Sequence, residues 1–197
     1  MIQYRRLAAL LLGAWLGASI LADVAVTQNF QAVDRFLAAP GNPATSAQLN
    51  TIGRAQERII LRRNAAEENN WIFLNWERVQ FFIGGGLFVV LLFGDRPQKL
   101  MLGLSLALIL ILGAEHFYLT PRITELGRTV DDFAKTDPQY KTFWTLHGLY
   151  SGFDILKMLI TFAMALRLTI RRKPDPEHFA RKYAKEQATT EGSLKRG

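Results

Sequence analysis

A small set of ionisable and polar residues lies inside, or at the rims of, long apolar runs. Asp23, Glu77 and Gln80 come in the first half of the chain, and Glu115, His116, His147, Tyr150, Ser151, Asp154 and Lys157 in the second. A charged side chain in hydrocarbon is expensive unless it is paired or faces a wet cavity, so such residues mark sites by default. Three chemistries are open to them. Asp154 and Lys157 can neutralise each other and fix helix register; the set can form a proton or solute pathway; or His116 and His147 can ligate a metal ion or haem, as helix bundles do with inward side chains. The chain has no cysteine, so a metal would need nitrogen or oxygen ligands. The strong di-metal pattern separates Glu and His by three, whereas Glu115 and His116 are adjacent and diverge by about 100° on a helix. No cofactor is expected on this reading, with haem or a metal at His116 and His147 as the alternative.

On a helical projection His147, Ser151 and Asp154 fall on one face, with Tyr150 and Lys157 on its edge. Glu77, Gln80 and Gly84 share a face from which Arg78 points away. Hydrolase and phosphotransferase motifs are absent from the sequence. Gly84-Gly85-Gly86 lies in an apolar run without the Lys-Ser or Lys-Thr of a phosphate loop, and Ser151, His147 and Asp154 lie on a single helix, where a polar stripe is the expected outcome. The chain therefore leans away from being an enzyme.

These residues must be positioned by apolar helices. A bilayer core of ~30 Å takes about 20 apolar helical residues. Four stretches reach that length, at about 7–26, 71–93, 100–119 and 143–166; the second does so only if Glu77 and Arg78 lie within it. The first could instead be a signal peptide behind Arg5 and Arg6, but Ile20 makes a poor cleavage context before Ala22. The expectation is an all-α integral membrane four-helix bundle over residues 1–173, with a charged tail over 174–197.

The net charge of +7 comes from basic residues flanking the apolar runs, without the basic patch interleaved with aromatics of a nucleic-acid binder. The amino terminus, the 94–99 turn and the tail hold 13 Lys and Arg; the two long opposite segments hold nine, offset by acids such as Glu57, Glu67, Asp131 and Asp132. Both termini are therefore expected to be cytoplasmic. The lipid bilayer is then the principal partner, in a multi-pass cell-membrane protein of a bacterial inner membrane. That orientation brings Asp23, Glu77, Glu115, His116 and His147 toward the outer face.

Thr45 with Gln48 makes a capping box after Pro40-Gly41-Asn42-Pro43, predicting one long second helix from about Ser46 that stands above the bilayer, with Leu49, Ile52, Ile59 and Ile60 as its stripe. Thr120-Pro121 and Asp137-Pro138 read as helix starts, predicting short helices over the outer mouth. Trp71 and Trp76 are expected as interfacial anchors beside an outward-snorkelling Arg78. Gly13 with Gly17, Gly84 in its glycine run, and Gly148 with Gly152 are expected to let helices approach closely. Such faces serve packing within the chain, or a homo-oligomer or another membrane protein.

The run Trp15-Leu16-Gly17 with Asp23 and Phe30, then Pro121-Arg122-Ile123, then Phe143 with Leu146-His147, Ser151 and Asp154, resembles the transmembrane protein 205-like family, which in bacteria is mostly described as a domain of unknown function. The resemblance covers roughly residues 7–168. Thr27-Gln28-Asn29 departs from it, standing where many members carry a proline, and the first external segment is longer. What the resemblance implies is a four-span bundle without an assigned activity. The functional expectation is a membrane protein whose polar intramembrane cluster is structural or binds a partner or small solute, with a redox protein or a proton or solute pathway as alternatives.

Overall fold

The computed structural model describes residues 2–39, 41–44, 47, 51, 53–94 and 99–170. These are helical almost throughout, and no strand occurs among them. The main helices are α1 (Ile2–Ala38), α2 (Arg54–Leu92), α3 (Lys99–Ala114), α4 (Thr120–Gly127) and α5 (Pro138–Thr169). Three helical stretches, Tyr4–Ala38, Lys99–Gly127 and Pro138–Thr169, are long and apolar enough to cross a membrane. Helix α2 has the length, but its first half is charged and its apolar run begins only at Val79. The four long helices close a ring, with α1 packed on α2 and α5, and α3 packed on the same two.

Helix α1 does not stop at Val26. Nothing between Gly17 and Pro40 breaks it, and it runs to Ala38, where the approaching proline disfavours further helix. The extra dozen residues add ~18 Å. Helix α2 starts later than the capping box suggests, at Arg54, directly after Gly53, whose φ of 89° lies outside the helical region. Thr45, Ser46, Gln48, Leu49 and Ile52 lie outside the described residues, as does the tail beyond Ile170. Of the expected stripe, Ile59 is half-buried and Ile60 exposed.

The two extensions form an antiparallel hairpin. Asn29 donates to Asn69 Oδ1 at 2.7 Å, Asn69 donates to the Val26 carbonyl at 3.2 Å, and Arg58 pairs with Asp34 at 2.9 Å. Deeper in the same register, Trp15 lies against Gly84. A Cβ on Gly84 would sit 3.0 Å from Trp15 Cζ3, tighter than an ordinary contact, so glycine is what lets the indole approach α2 this closely. Open space lies at Gly13, Gly17, Gly148 and Gly152, which face outward. Packing within the chain, expected at all five, is thus seen at Gly84; the two small-residue pairs sit on the wrong faces for it.

At the end of the ring that carries both helix termini, Arg5 donates to the carbonyls of Leu168 at 2.7 Å and Ile170 at 3.3 Å, occupying the unpaired acceptors where α5 stops. Above it Leu12, Leu87, Met101, Leu108 and Met164 are fully buried and fill the ring without a polar atom in their side chains other than methionine sulfur. Trp76 packs against this cluster's edge and Trp71 is exposed, so of the two expected anchors Trp71 alone is free to face an interface.

Between α3 and α4 the chain makes one π turn, Glu115–Leu119, in which the Thr120 amide bonds the Glu115 carbonyl. Pro121 is the physical cause: it has no N–H for the Phe117 carbonyl, and its ring crowds that turn. Thr120 is therefore not a helix cap, as the sequence suggested, but a buried residue inside a continuous helical path. Asp137 does cap α5, accepting from the Gln139 amide at 2.7 Å. Helix α4 and the 3-10 turn Val130–Asp132 are the expected short helices of this end.

Candidate functional site

The inward face of α5 carries Tyr150, Asp154, Lys157 and Thr161, spaced at i, i+4, i+7 and i+11. This is a different face from the one read off the sequence. Ser151 is exposed and its hydroxyl bonds back to the His147 carbonyl at 3.0 Å, a local helix bond with no part in the cluster. Helix α2 contributes Glu77 and Gln80, both fully buried, while Arg78 turns outward to Asn75 as expected.

Two linked centres result. In the first, Lys157 donates to Gln80 Oε1 at 3.1 Å, to Asp154 Oδ1 at 3.0 Å and to Glu115 Oε2. All three ammonium protons thus have acceptors, which is what a lysine 1% exposed requires. The sequence pointed to Asp154 as its partner; Glu115 and Gln80 complete the set. In the second centre, Glu77 Oε1 accepts from Thr120 Oγ1 and from the Tyr150 hydroxyl at 3.2 Å, and Glu77 Oε2 meets His116 Nδ1 at 2.7 Å. The divergence of Glu115 and His116 along the π turn is what connects the centres: one residue reaches α5, the next reaches α2. Asp23 approaches Asp154 from α1, half-buried.

Glu115 Oε1, Ser105 Oγ and Thr161 Oγ1 are buried without a hydrogen-bond partner among the described residues. Ser105 and Thr161 escaped sequence analysis. Each is a single hydroxyl in an apolar run, and for Thr161 the one available signal is its place a turn beyond Lys157.

Above Glu77 opens a pocket of about 320 Å³. Its walls are aromatic, from Phe30, Phe73, Phe143, Trp144 and His147, and its floor includes the Tyr150 and Thr120 side chains that donate to Glu77. His147 stacks on Phe143 at 5.8 Å between centroids and 12° between planes, and meets Trp144 edge-on. It is a wall residue. His116 is held at Glu77, with Phe81 and Phe117 around it, and so the two histidines serve different places. Among the described residues no three His, Asp or Glu side chains converge to hold a metal ion. The two proposed ligands do not form one site.

The mouth of the pocket is ringed by ion pairs that the sequence did not single out. Arg128 donates to both oxygens of Glu67 at 2.9 and 3.4 Å, Arg63 pairs with Asp132 at 2.7 Å, and Arg62 lies over the Phe30 ring at 5.1 Å. The hydrogen bond from Arg128 holds the Glu67 carboxyl below the usual carboxylate range. A depressed carboxylate contributes stability that is fully present above its unfolded pKa and fades as pH falls through the lower folded one. In Arg128→Ala the Glu67 titration midpoint, read by carboxyl carbon NMR, should rise toward the ordinary value, while wild type keeps α4 docked to lower pH.

Comparison with known protein families, with curated proteins and with solved structures gave no match.

Proposed function

We propose that this chain is a four-span membrane protein, both termini cytoplasmic, that binds a small solute in the aromatic pocket at its outer face. The observation that carries the reading is the junction of pocket and network: two floor hydroxyls, Tyr150 and Thr120, donate into a fully buried glutamate. A pocket near the low end of the usual ligand range, mostly apolar with a few convergent polar groups, is what small-molecule sites are made of. Four passes follow if α2 crosses with its apolar half, Glu77 and Gln80 being satisfied inside the ring instead of facing lipid. The charge bias of the loops then puts the pocket outside, in what we take to be a bacterial cell membrane, and a four-span bundle is what the resemblance to the transmembrane protein 205-like family would imply.

The absence of native cysteine makes the test clean. A cysteine at Lys135 should react with an impermeant maleimide in intact cells, and one at Ser193 only after lysis; the reverse pattern sinks the topology. For the pocket, a panel of small aromatic amines, amides and carboxylates is screened for thermal stabilisation of the purified protein. At least one should raise the melting temperature of wild type but not of Thr124→Trp, whose indole fills the cavity from its wall. Equal shifts in both, or none in either, would count against the solute site.

A further inference from the structure

The polar layer beneath the pocket carries more carboxyls than cations. Glu77 comes from α2, Glu115 from the π turn, Asp154 from α5 and Asp23 from α1; facing them are Lys157 on α5 and His116 on the π turn. Glu77 and Glu115 have no exposure at all and Asp154 has 9%. Even with His116 as imidazolium, four carboxyls face two positive charges. Lys157 has spent its three protons on Gln80, Glu115 and Asp154. Asp23 is half-buried and keeps access to water, yet the three buried carboxyls, Glu77, Glu115 and Asp154, still outnumber the two cations by one. The excess charge must be carried by protons or by a cation, because uncompensated carboxylates are not stable in such surroundings.

The chemistry of the pocket selects between those carriers. Tyr150 and Thr120 each have one hydroxyl proton and give it to Glu77, and so the floor offers only lone pairs to a guest. Around the floor stand the faces and edges of Phe73, Phe143, Trp144 and Tyr150. At the rim, Arg128 is paired with Glu67 and Arg63 with Asp132, while Arg62 lies over the Phe30 ring and shares Asp34 with Arg58, so two of the three rim arginines are paired. Acceptors below and aromatic walls between the floor and the rim suit a positive head on an apolar body. On the other side of the layer the dry packing of Leu12, Leu87, Met101, Leu108 and Met164 closes the ring, and the pocket meets the layer through Tyr150 and Thr120.

We infer that the pocket takes a small organic cation, its head seated on the Tyr150–Thr120 floor above Glu77, in exchange for a proton of the carboxyl layer. The inference rests on the reading of the pocket as a solute site. The exchange breaks one carboxyl O–H bond; the proton leaves through the floor hydroxyls to external water as the cation arrives, and the charge of the layer with its guest is unchanged.

The test is calorimetric titration of the purified full chain with benzyltrimethylammonium, N-benzylacetamide and phenylacetate, in two buffers of different ionisation enthalpy. The ammonium should bind at least ~10-fold more tightly than the neutral amide or the anion, and should release up to about one proton, so that its affinity weakens by up to ~10-fold per unit fall in pH. Tyr150→Phe, which keeps the ring and removes a floor acceptor, should weaken the ammonium and leave the amide unchanged. Glu77→Gln should abolish proton release; because it disturbs three buried bonds, the tyrosine variant provides a second readout independent of it. If the amide binds as tightly as the ammonium, or the ammonium binds without releasing a proton, or Tyr150→Phe leaves ammonium affinity intact, the cation inference falls and the solute site stands. If none of the three binds, both fall.

Discussion

Replacing Lys157 with methionine should be among the most damaging single changes in this protein, lowering stability by about 3–5 kcal/mol. The methylene stem is well matched by methionine, so little packing is lost. What is lost is the one donor to Gln80 Oε1 among the described residues and the counter-charge of a fully buried Glu115 and a largely buried Asp154. For a chain of this size that corresponds to a drop of roughly 6–20 °C in melting temperature. Adding Glu115→Gln to Lys157→Met should recover part of the loss, because a buried amide replaces the most deeply buried unpaired carboxylate. As a control, Arg122→Ala breaks an ion pair whose partners are 60% and 67% exposed, and should change stability by less than ~1 kcal/mol. Melting curves of the four proteins in one detergent decide the matter. A Lys157→Met protein as stable as wild type would mean that the lysine is already neutral and the layer holds its charge elsewhere.

The helices were legible in the sequence because their signals are long. Apolar runs of about 20 residues and the absence of Gly or Pro from Arg54 to Ile83 are properties of whole segments, and small local effects do not erase them. The identity of the polar residues was legible for the same reason, since charge in an apolar run stands out. Their arrangement was not. The inward face of α5 is set by which neighbours supply acceptors, and Glu77 and Glu115 choose Tyr150 and Lys157 over His147 and Ser151 by virtue of α2 and the π turn. A projection of one helix contains no information about the next. The π turn itself follows from Pro121, yet it looked like a helix start because Thr-Pro has the same local chemistry in both settings. The pocket was hidden for a further reason: its wall is assembled from Phe30, Phe73, Phe143 and Trp144 on three helices, and single aromatics in apolar sequence are indistinguishable from ordinary core.

Gly84 shows how much one small residue can decide when backbones must touch. The Trp15 ring, 1% exposed, occupies the space a side chain at position 84 would need, with atoms at 3.0 and 3.2 Å from the place of a Cβ and Ile109 at 3.4 Å beyond. Gly84→Ala asks the indole to yield by a few tenths of an ångström. Gly84→Leu asks for a cavity that is not there, and should cost about 1–3 kcal/mol or more through displaced rotamers and a shifted α1. The displacement is not confined to the contact. Helices α1 and α2 share one register from Trp15 through Asn29 to Asp34, so prising them apart at Gly84 strains the Asn29–Asn69 bond and moves Asp23 relative to Asp154. Shortening the partner should reverse the effect: Trp15→Ala alone leaves a void and is destabilising, but combined with Gly84→Leu it should be more stable than the sum of the single losses by at least ~1 kcal/mol. Strict additivity in that double-mutant cycle would show that the two positions do not touch. At Gly13 and Gly17, where a Cβ meets nothing within the chain, the same leucine substitution should leave monomer stability within ~0.5 kcal/mol of wild type, and a larger loss there would reveal a partner helix on that face.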